Sequence, residues 1–166
     1  LDALGWPWVL IETVGVGQVE VDIAGAADTT IVVVNPGWGD AVQANKAGLR
    51  EVADIFVVNK SDRKGADDTR RDIQQMLELS SLGDWEPPIL MTVATDQSGA
   101  DELWKAVNEH RSYLETSDEL TARRNRRIQN ELAEIVQRSL ERNVAAVMDG
   151  SDAAELRQQL IQRDID

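Results

Sequence analysis

The sequence of 166 residues contains no cysteine and a single histidine, His110. Without cysteine the chain has no disulfide framework, no thiolate nucleophile and no thiolate metal ligand, and one histidine cannot form an imidazole cluster. This composition fits a reducing compartment. We therefore expect a cytoplasmic protein without a metal centre of the cysteine and histidine type.

Positive charge is also scarce, because 17 lysine and arginine residues face 30 aspartate and glutamate residues, which gives a formal net charge of -13. Affinity for phosphate backbones and anionic lipids comes from lysine and arginine, so non-specific binding to either is disfavoured. With 28% charged residues the chain is also too charged to span a membrane. We expect one buried core with an appendage, and neither nucleic acid nor membrane as a partner.

Two familiar signals are missing from the sequence. The first residues, "LDALGWPWVLIETVG", lack the basic start and small-residue cleavage site of a signal peptide, and they look like the middle of a domain. The phosphate-binding pattern G-x-x-x-x-G-K-[ST] does not occur in the chain. We expect the protein to extend upstream of Leu1.

Four short apolar runs rich in β-branched residues are present, at residues 9–11, 30–34, 55–58 and 89–93. Continuous runs of this kind are typical of strands that are buried on both faces of a sheet. Segments with helical spacing, such as residues 67–79, separate the later runs. The alternation predicts an α/β fold with a mostly parallel sheet and flanking helices, and ligands bind such sheets beyond the carboxyl ends of the strands.

The pattern changes to helices after the fourth run. Ser98 with Asp101 predicts one helix start, and "TSDE" at residues 116–119 predicts another with a capping box. Residues 150–151 interrupt the pattern before a last short helix at residues 153–161. The long second helix carries a narrow apolar stripe, formed by Ile128, Leu132, Ile135 and Leu140.

We divide the chain into a partial nucleotide-binding domain at residues 1–115 and a helical arm at residues 116–166. A stripe as narrow as the one in the arm is typical of a helix pair, which favours a homodimer contact. The basic cluster "ARRNRR" at residues 122–127 lies in the same helix. A solvated helix face is the alternative for this segment.

Asn59, Lys60 and Asp62 follow the third run in the order N-K-S-D. Guanine offers two adjacent donors, N1–H and the amino group, to a carboxylate such as Asp62, whereas adenine has an acceptor at N1. The Lys60 stem can lie along the base while Asn59 ties the loop together and reaches the base edge. Ala94, in "MTVAT" after the fourth run, can bring a backbone N–H close to guanine O6. This pattern favours a guanine site, with a helix-capping Asx turn as the alternative.

Glu12 directly follows the first run, and Gly15 comes three residues later. This spacing suits a carboxylate that orients water on Mg²⁺ and a glycine N–H that meets a terminal phosphate. Gln18 is the nearby glutamine that could orient an attacking water. The alternative is a carboxylate that caps a helix beginning near Gln18.

The stretch "ETVGVGQVEVDIAGAADTTIVVVNPGWGDAVQANKAGL", followed by "VVNKSD", resembles the MeaB/ArgK family of P-loop GTPases over about residues 8–142. The resemblance implies a GTPase that uses GTP, GDP and Mg²⁺. It further implies a homodimeric chaperone of adenosylcobalamin-dependent methylmalonyl-CoA mutase, active in cofactor loading and protection.

The same resemblance assigns Glu12 and Gly15 to the switch that senses Mg²⁺ and the γ-phosphate. Guanine recognition falls to the matching motif of Asn59, Lys60 and Asp62, and closure over the base falls to Ala94.

The resemblance implies a further switch at residues 36–48, containing Asp40 and Lys46, that signals to the mutase. Trp38 stands between two glycines where a small residue is expected, and an exposed tryptophan there suits a partner contact. A structural role is the alternative, in which the glycines form turns and Asp40 caps a helix.

The family's phosphate loop and first switch are expected to precede Leu1. They supply most of the stabilisation of transition-state charge, so we expect the 166-residue chain alone not to hydrolyse GTP. A metallochaperone-type GTPase and a non-enzymatic dimerising fragment without nucleotide remain as alternative functions. An older family label, kinase of an amino-acid transport system, has no supporting residues in the chain.

Overall fold

The computed structural model describes residues 5–13, 25–37, 52–78 and 84–162. Strands and helices alternate in the first part of these residues, and helices follow. The elements are β1 (Ile31–Val34), β2 (Ile55–Asn59), α1 (Ala66–Glu78), β3 (Ile89–Thr92), α2 (Ala100–Thr116), α3 (Glu119–Met148) and α4 (Ser151–Gln162). The predicted α/β class is therefore confirmed.

The three strands form one parallel sheet in the order β1-β2-β3. Ile31 pairs with Ile55 at the amino ends, and Asn59 pairs with Thr92 at the carboxyl ends. Because all three strands run in the same direction, the loops that follow β2 and β3 emerge side by side at one edge of the sheet.

Strand β2 is covered on both faces, which explains its continuous apolar sequence. Phe56 and Val58 belong to a buried cluster with α1, whereas Ile55 and Val57 belong to a cluster with α2. The first cluster also contains Val32, Val34, Ala53, Ala66, Ile73, Met76 and Leu77, and the second also contains Ala106 and Val107. Each of the first four β2 side chains is at most 2% exposed, so β2 is the centre of the core.

The prediction of a strand at residues 9–11 is wrong for this structure. These residues form neither helix nor strand, and Leu10 is 90% exposed. Apolar sequence alone does not make a strand, because a strand is defined by hydrogen bonds to a neighbour. Within the described ranges, no strand pairs with this segment.

The two helices predicted after the fourth apolar run are both present, but their first residues differ from the predicted ones. Helix α2 begins at Ala100 with Gly99 as its N-cap, while the predicted starter Ser98 instead pairs with Val93 in an isolated bridge. Gly99 has φ 80°, a left-handed conformation that glycine adopts without a Cβ clash. The second predicted helix is present and begins at Glu119. Its predicted capping box is wrong, because Thr116 is the last residue of α2 and its hydroxyl donates to the Ser112 carbonyl at 2.9 Å.

Replacing Gly99 by alanine is expected to lower the free energy of unfolding by about 3 kcal/mol, since the new Cβ would collide with the backbone oxygen of Met91 and the left-handed backbone would be strained. Gly37 is a matched control, because it also has a positive φ, 89°, but a Cβ added there would meet nothing within 4 Å. Gly37→Ala should cost about 1 kcal/mol. Urea denaturation measures both values, and equal costs would contradict the role given to Met91.

The chain separates into two compact units, Leu1–Arg123 and Arg124–Asp166, with the boundary inside α3. None of the 30 residues of α3 is buried. The predicted apolar stripe is exposed, with Leu132 59% and Ile135 50% accessible. Among the described residues, no helix combines the length and the apolar character that a membrane crossing requires. The arm and the domain boundary at residue 116 stay predictions.

Candidate functional site

Asn59, the last residue of β2, joins the two loops at the carboxyl edge of the sheet. Its side-chain oxygen accepts hydrogen bonds from the backbone N–H of Lys60 at 2.8 Å and of Ala94 at 3.2 Å. The Thr92 hydroxyl donates to the same oxygen at 3.3 Å. One amide side chain therefore connects the loop after β2 to the loop after β3.

The loop after β2 has a fixed backbone and free side chains. Lys60 has φ 57°, which is uncommon for a residue with a side chain and is typical of tight functional loops. The Ser61 N–H donates to the Thr92 carbonyl at 3.0 Å, and the Arg63 N–H donates to the Lys60 carbonyl at 3.0 Å. The side chains of Lys60 and Asp62 are exposed, so both are accessible to a ligand.

The loop after β3 is a tight turn that presents Ala94 to solvent. The Val93 N–H donates to the Ser98 carbonyl at 3.0 Å, and the Asp96 carboxylate accepts the Ser98 N–H at 2.9 Å. In this structure the Ala94 N–H, which we expect to meet guanine O6, donates to Asn59 instead. A ligand carbonyl would have to share or replace that long bond.

The remaining predicted site residues are placed only in part. Glu12 is exposed in an irregular segment. Gly15, Gln18, Trp38, Asp40 and Lys46 lie outside the described residues, and so does most of the segment at residues 36–48. The structure therefore brings together Asn59, Lys60 and Ala94, with Asp62 in the same loop. Among the described residues, no group of three or more histidine, aspartate or glutamate side chains could hold a metal ion.

A buried polar cluster at the amino end of β2 was missed by the sequence reasoning. Asp54 accepts two hydrogen bonds from the Arg123 guanidinium, at 2.9 and 3.0 Å. The Thr30 N–H also donates to this carboxylate, at 2.8 Å. His110 Nε2 lies 3.3 Å from the carboxylate, without the alignment of a good hydrogen bond. We name Asp54, His110 and Arg123 the Asp54 cluster.

Contacts within the Asp54 cluster change the pKa values of Asp54 and Arg123. Burial alone would raise the pKa of Asp54, but His110 and Arg123 outweigh burial and lower this pKa below its ordinary value. The hydrogen bond to Asp54 raises the pKa of Arg123. An isolated histidine in a helical segment and an aspartate just before a strand were the only signals in the sequence, and neither indicates its partner.

Aromatic side chains enclose the Asp54 cluster. The rings of Trp85 and His110 are 4.7 Å apart between centroids, and those of Trp85 and Tyr113 are 5.3 Å apart. Trp85 Nε1–H also donates to the Asp54 carbonyl at 2.9 Å. His110 is 0% exposed, and its Nδ1 lies 2.9 Å from the Thr29 hydroxyl.

A parallel α/β sheet in which one strand ends in Asn-Lys-x-Asp, joined to a small-residue loop after its neighbour, is the arrangement expected on the guanine side of a P-loop GTPase. Comparison with known proteins makes the assignment more specific. The profile of the family described as methylmalonyl-CoA mutase-associated GTPase MeaB matches residues 1–149. The chain belongs to this family.

Individual relatives agree with that assignment. A Pyrococcus abyssi protein is 46% identical over 171 residues, which cover 100% of this chain and 52% of the relative. The Escherichia coli protein named GTPase ArgK is 36% identical over 126 residues, covering 72% of this chain and 38% of the relative. The Mus musculus protein named methylmalonic aciduria type A homolog, mitochondrial, is 33% identical over 125 residues, covering 72% and 30%.

A solved structure is also similar. It is a crystal structure described as an LAO/AO transport system kinase, with a TM-score of 0.70 and 27% sequence identity, and the match covers 96% of this chain and 52% of the other. The chain spans about half the length of the curated relatives it matches first, at 52% of the Pyrococcus abyssi protein.

Proposed function

We propose that this chain supplies the guanine-recognising part of the GTP site in a GTPase that acts as a chaperone of an adenosylcobalamin-dependent methylmalonyl-CoA mutase. The observation that carries the proposal is the junction at Asn59, whose side-chain oxygen joins the loops after β2 and β3 through Lys60 and Ala94. This junction sets the two loops beside each other while the Asp62 carboxylate stays exposed. Membership of the MeaB family supports the nucleotide and the mutase partner.

Each group at the site has a chemical role in the proposal. The Asp62 carboxylate accepts guanine N1–H and the amino group together, which selects against adenine. The Lys60 stem covers one face of the base. The side-chain oxygen of Asn59 already accepts hydrogen bonds from the two loops, so its side-chain N–H group donates toward the base edge. Ala94 N–H exchanges its bond with Asn59 for one with guanine O6.

Three residues near the start of the sequence have proposed roles on the phosphate side of the site. Glu12 would orient water on Mg²⁺, Gly15 would contact the γ-phosphate, and Gln18 would orient the attacking water. Mg²⁺ would neutralise charge on the phosphates during hydrolysis. The 166-residue sequence does not contain the phosphate-binding pattern G-x-x-x-x-G-K-[ST]. We therefore propose that this chain by itself binds nucleotide weakly and does not hydrolyse it.

Pairing of two copies is proposed to occur through the arm. The exposed apolar stripe of α3 supports this, because an unburied row of leucine and isoleucine side chains is stabilised by covering it. Asp40, Lys46 and Trp38 are proposed to signal to the mutase, in a cytoplasmic setting. Sedimentation equilibrium measures the pairing, and a monomer at high concentration would exclude it.

The proposal predicts selective binding of guanine by this chain. In a two-dimensional ¹H–¹⁵N NMR titration with Mg²⁺, GDP should shift the amide signals of Lys60, Ser61 and Ala94, with a dissociation constant in the range of roughly 0.1–1 mM. The dissociation constant of ADP, measured from the same signals, should be at least about tenfold higher, because the N1 acceptor of adenine faces the Asp62 carboxylate. Equal responses to GDP and ADP would contradict the guanine assignment, and Asp68→Asn, on the exposed face of α1, is the control that should change nothing.

A further inference from the structure

Asp54, the residue just before β2, contacts the residue before β1 and a tryptophan in the segment that leads to β3. The Asp54 carboxylate accepts the Thr30 N–H at 2.8 Å, and the Asp54 N–H donates back to the Thr30 carbonyl at 2.9 Å, directly before β1. The Asp54 carbonyl accepts Trp85 Nε1–H at 2.9 Å, in the segment before β3. Asp54 therefore connects the amino end of β2 to the residue before β1 and to the segment before β3.

The first turn of α3 is attached to the same carboxylate. Arg123 binds Asp54 through two nitrogens, at 2.9 and 3.0 Å, and also donates to the Asp28 carbonyl at 3.1 Å. Asp54 is only 6% exposed, so removal of the guanidinium would leave a buried carboxylate with part of its hydrogen bonding lost. A bidentate pair of this kind adds geometric specificity as well as energy, so it fixes the position of Arg123 against Asp54.

The other end of β2 holds the loop junction. Asn59 lies five residues after Asp54, and the strand between them is buried on both faces and paired on both sides. Two of the three hydrogen bonds at the Asn59 oxygen, at 3.2 and 3.3 Å, are long for their type. A displacement of β2 against β3 would lengthen these bonds and weaken them.

We propose that β2 couples its two ends, so that attachment of the α3 first turn by Arg123 to Asp54 stabilises the loop junction at Asn59. The packed strand transmits the constraint because its neighbours on both sides and both faces prevent bending. If the guanine site proposed above exists, the coupling is reciprocal, and a nucleotide held at the loops strengthens the attachment of α3. Arg123 is then a positioning residue for a site that it does not touch.

Amide hydrogen exchange tests the coupling in the full chain without nucleotide. In Arg123→Met, exchange should accelerate at least about tenfold at Ala94, whose amide donates to the Asn59 side chain, and at Ser61, whose amide donates to the Thr92 carbonyl between the same two loops. Exchange in residues 119–123 should accelerate as well. The amides of α1 that exchange by local opening should stay within about twofold of the wild type. The control is Arg138→Met, which breaks an exposed pair with Glu134 in the same helix and should leave both loops unchanged.

Two outcomes would overturn the coupling. One is faster exchange in residues 119–123 with wild-type exchange at Ser61 and Ala94, which would make the Arg123 contact purely local. The other is an equal acceleration everywhere, α1 included, which would indicate general destabilisation. If Arg123→Met does not fold, Arg123→Lys keeps the charge without the fork and should show the same pattern at smaller amplitude. Because no nucleotide is used, failure here leaves the guanine proposal unaffected.

Discussion

Replacing Asp54 by alanine should lower the free energy of unfolding by about 3 kcal/mol. The substitution removes the carboxylate that pairs with Arg123 and leaves His110, which is 0% exposed, facing a cavity. Breaking one partner of a buried ion pair costs about 3–5 kcal/mol. We expect the lower end of this range because the Arg123 side chain is 29% exposed and water can partly replace the lost contact.

Urea denaturation followed by circular dichroism measures the effect of Asp54→Ala. The matched control is Asp68→Ala, which removes an exposed pair with Arg71 at 3.1 Å and should cost less than about 1 kcal/mol. A loss below about 1 kcal/mol for Asp54→Ala would show that the buried cluster does not stabilise the fold.

The contribution of Asp54 should also depend on pH in a defined direction. The folded pKa of Asp54 is lowered from its ordinary 3.8, so its stabilising effect is present above the unfolded value and is lost as pH falls through the folded value. The stability difference between wild type and Asp54→Ala should therefore be constant near neutral pH and shrink below about pH 4.

Replacing Asp62 by asparagine should invert the preference of the site from guanine to xanthine nucleotides. The asparagine N–H would oppose the guanine amino group, whereas xanthine presents a carbonyl at that position and keeps its N1–H for the asparagine oxygen. Charged hydrogen bonds contribute about 1.5–3 kcal/mol each, so the XDP-to-GDP affinity ratio should change by about 100-fold or more.

Competition between XDP and GDP in the same NMR titration measures this ratio. Asp67→Asn is the control, because Asp67 lies exposed in the first turn of α1 and should leave the ratio unchanged. A guanine preference that survives in Asp62→Asn would mean that another group reads the base, and the role assigned to Asp62 would be wrong.

Local patterns in the sequence predicted much of this fold. The continuous apolar runs identified all three described strands, and helical spacing identified α1 to within one residue at its start, at Ala66. The order N-K-S-D predicted that Asn59 ties its own loop together, but it did not predict the hydrogen bonds that join Asn59 to Thr92 and Ala94 after the neighbouring strand. The features that were predicted depend on residues that are neighbours in sequence.

Features that depend on distant or absent partners were not predictable in the same way. Asp54 and Arg123 are 69 positions apart, and no local pattern indicates that they meet. Residues 9–11 have a strand-like sequence, but a strand requires a neighbour that sequence composition does not supply. Gly99 caps α2 where Ser98 was expected because the tight turn after β3 requires a left-handed residue.

The burial of His110 makes its chemical modification a measure of local opening of the structure. As the only imidazole in 166 residues, and with no exposed surface, it is shielded from reagents that acylate histidine. Labelling requires an opening of the structure that exposes His110, so the labelling rate follows that opening. No second histidine contributes to the signal. The rate at which His110 is acylated in the unaltered protein therefore measures opening at the end of the sheet opposite the proposed guanine site.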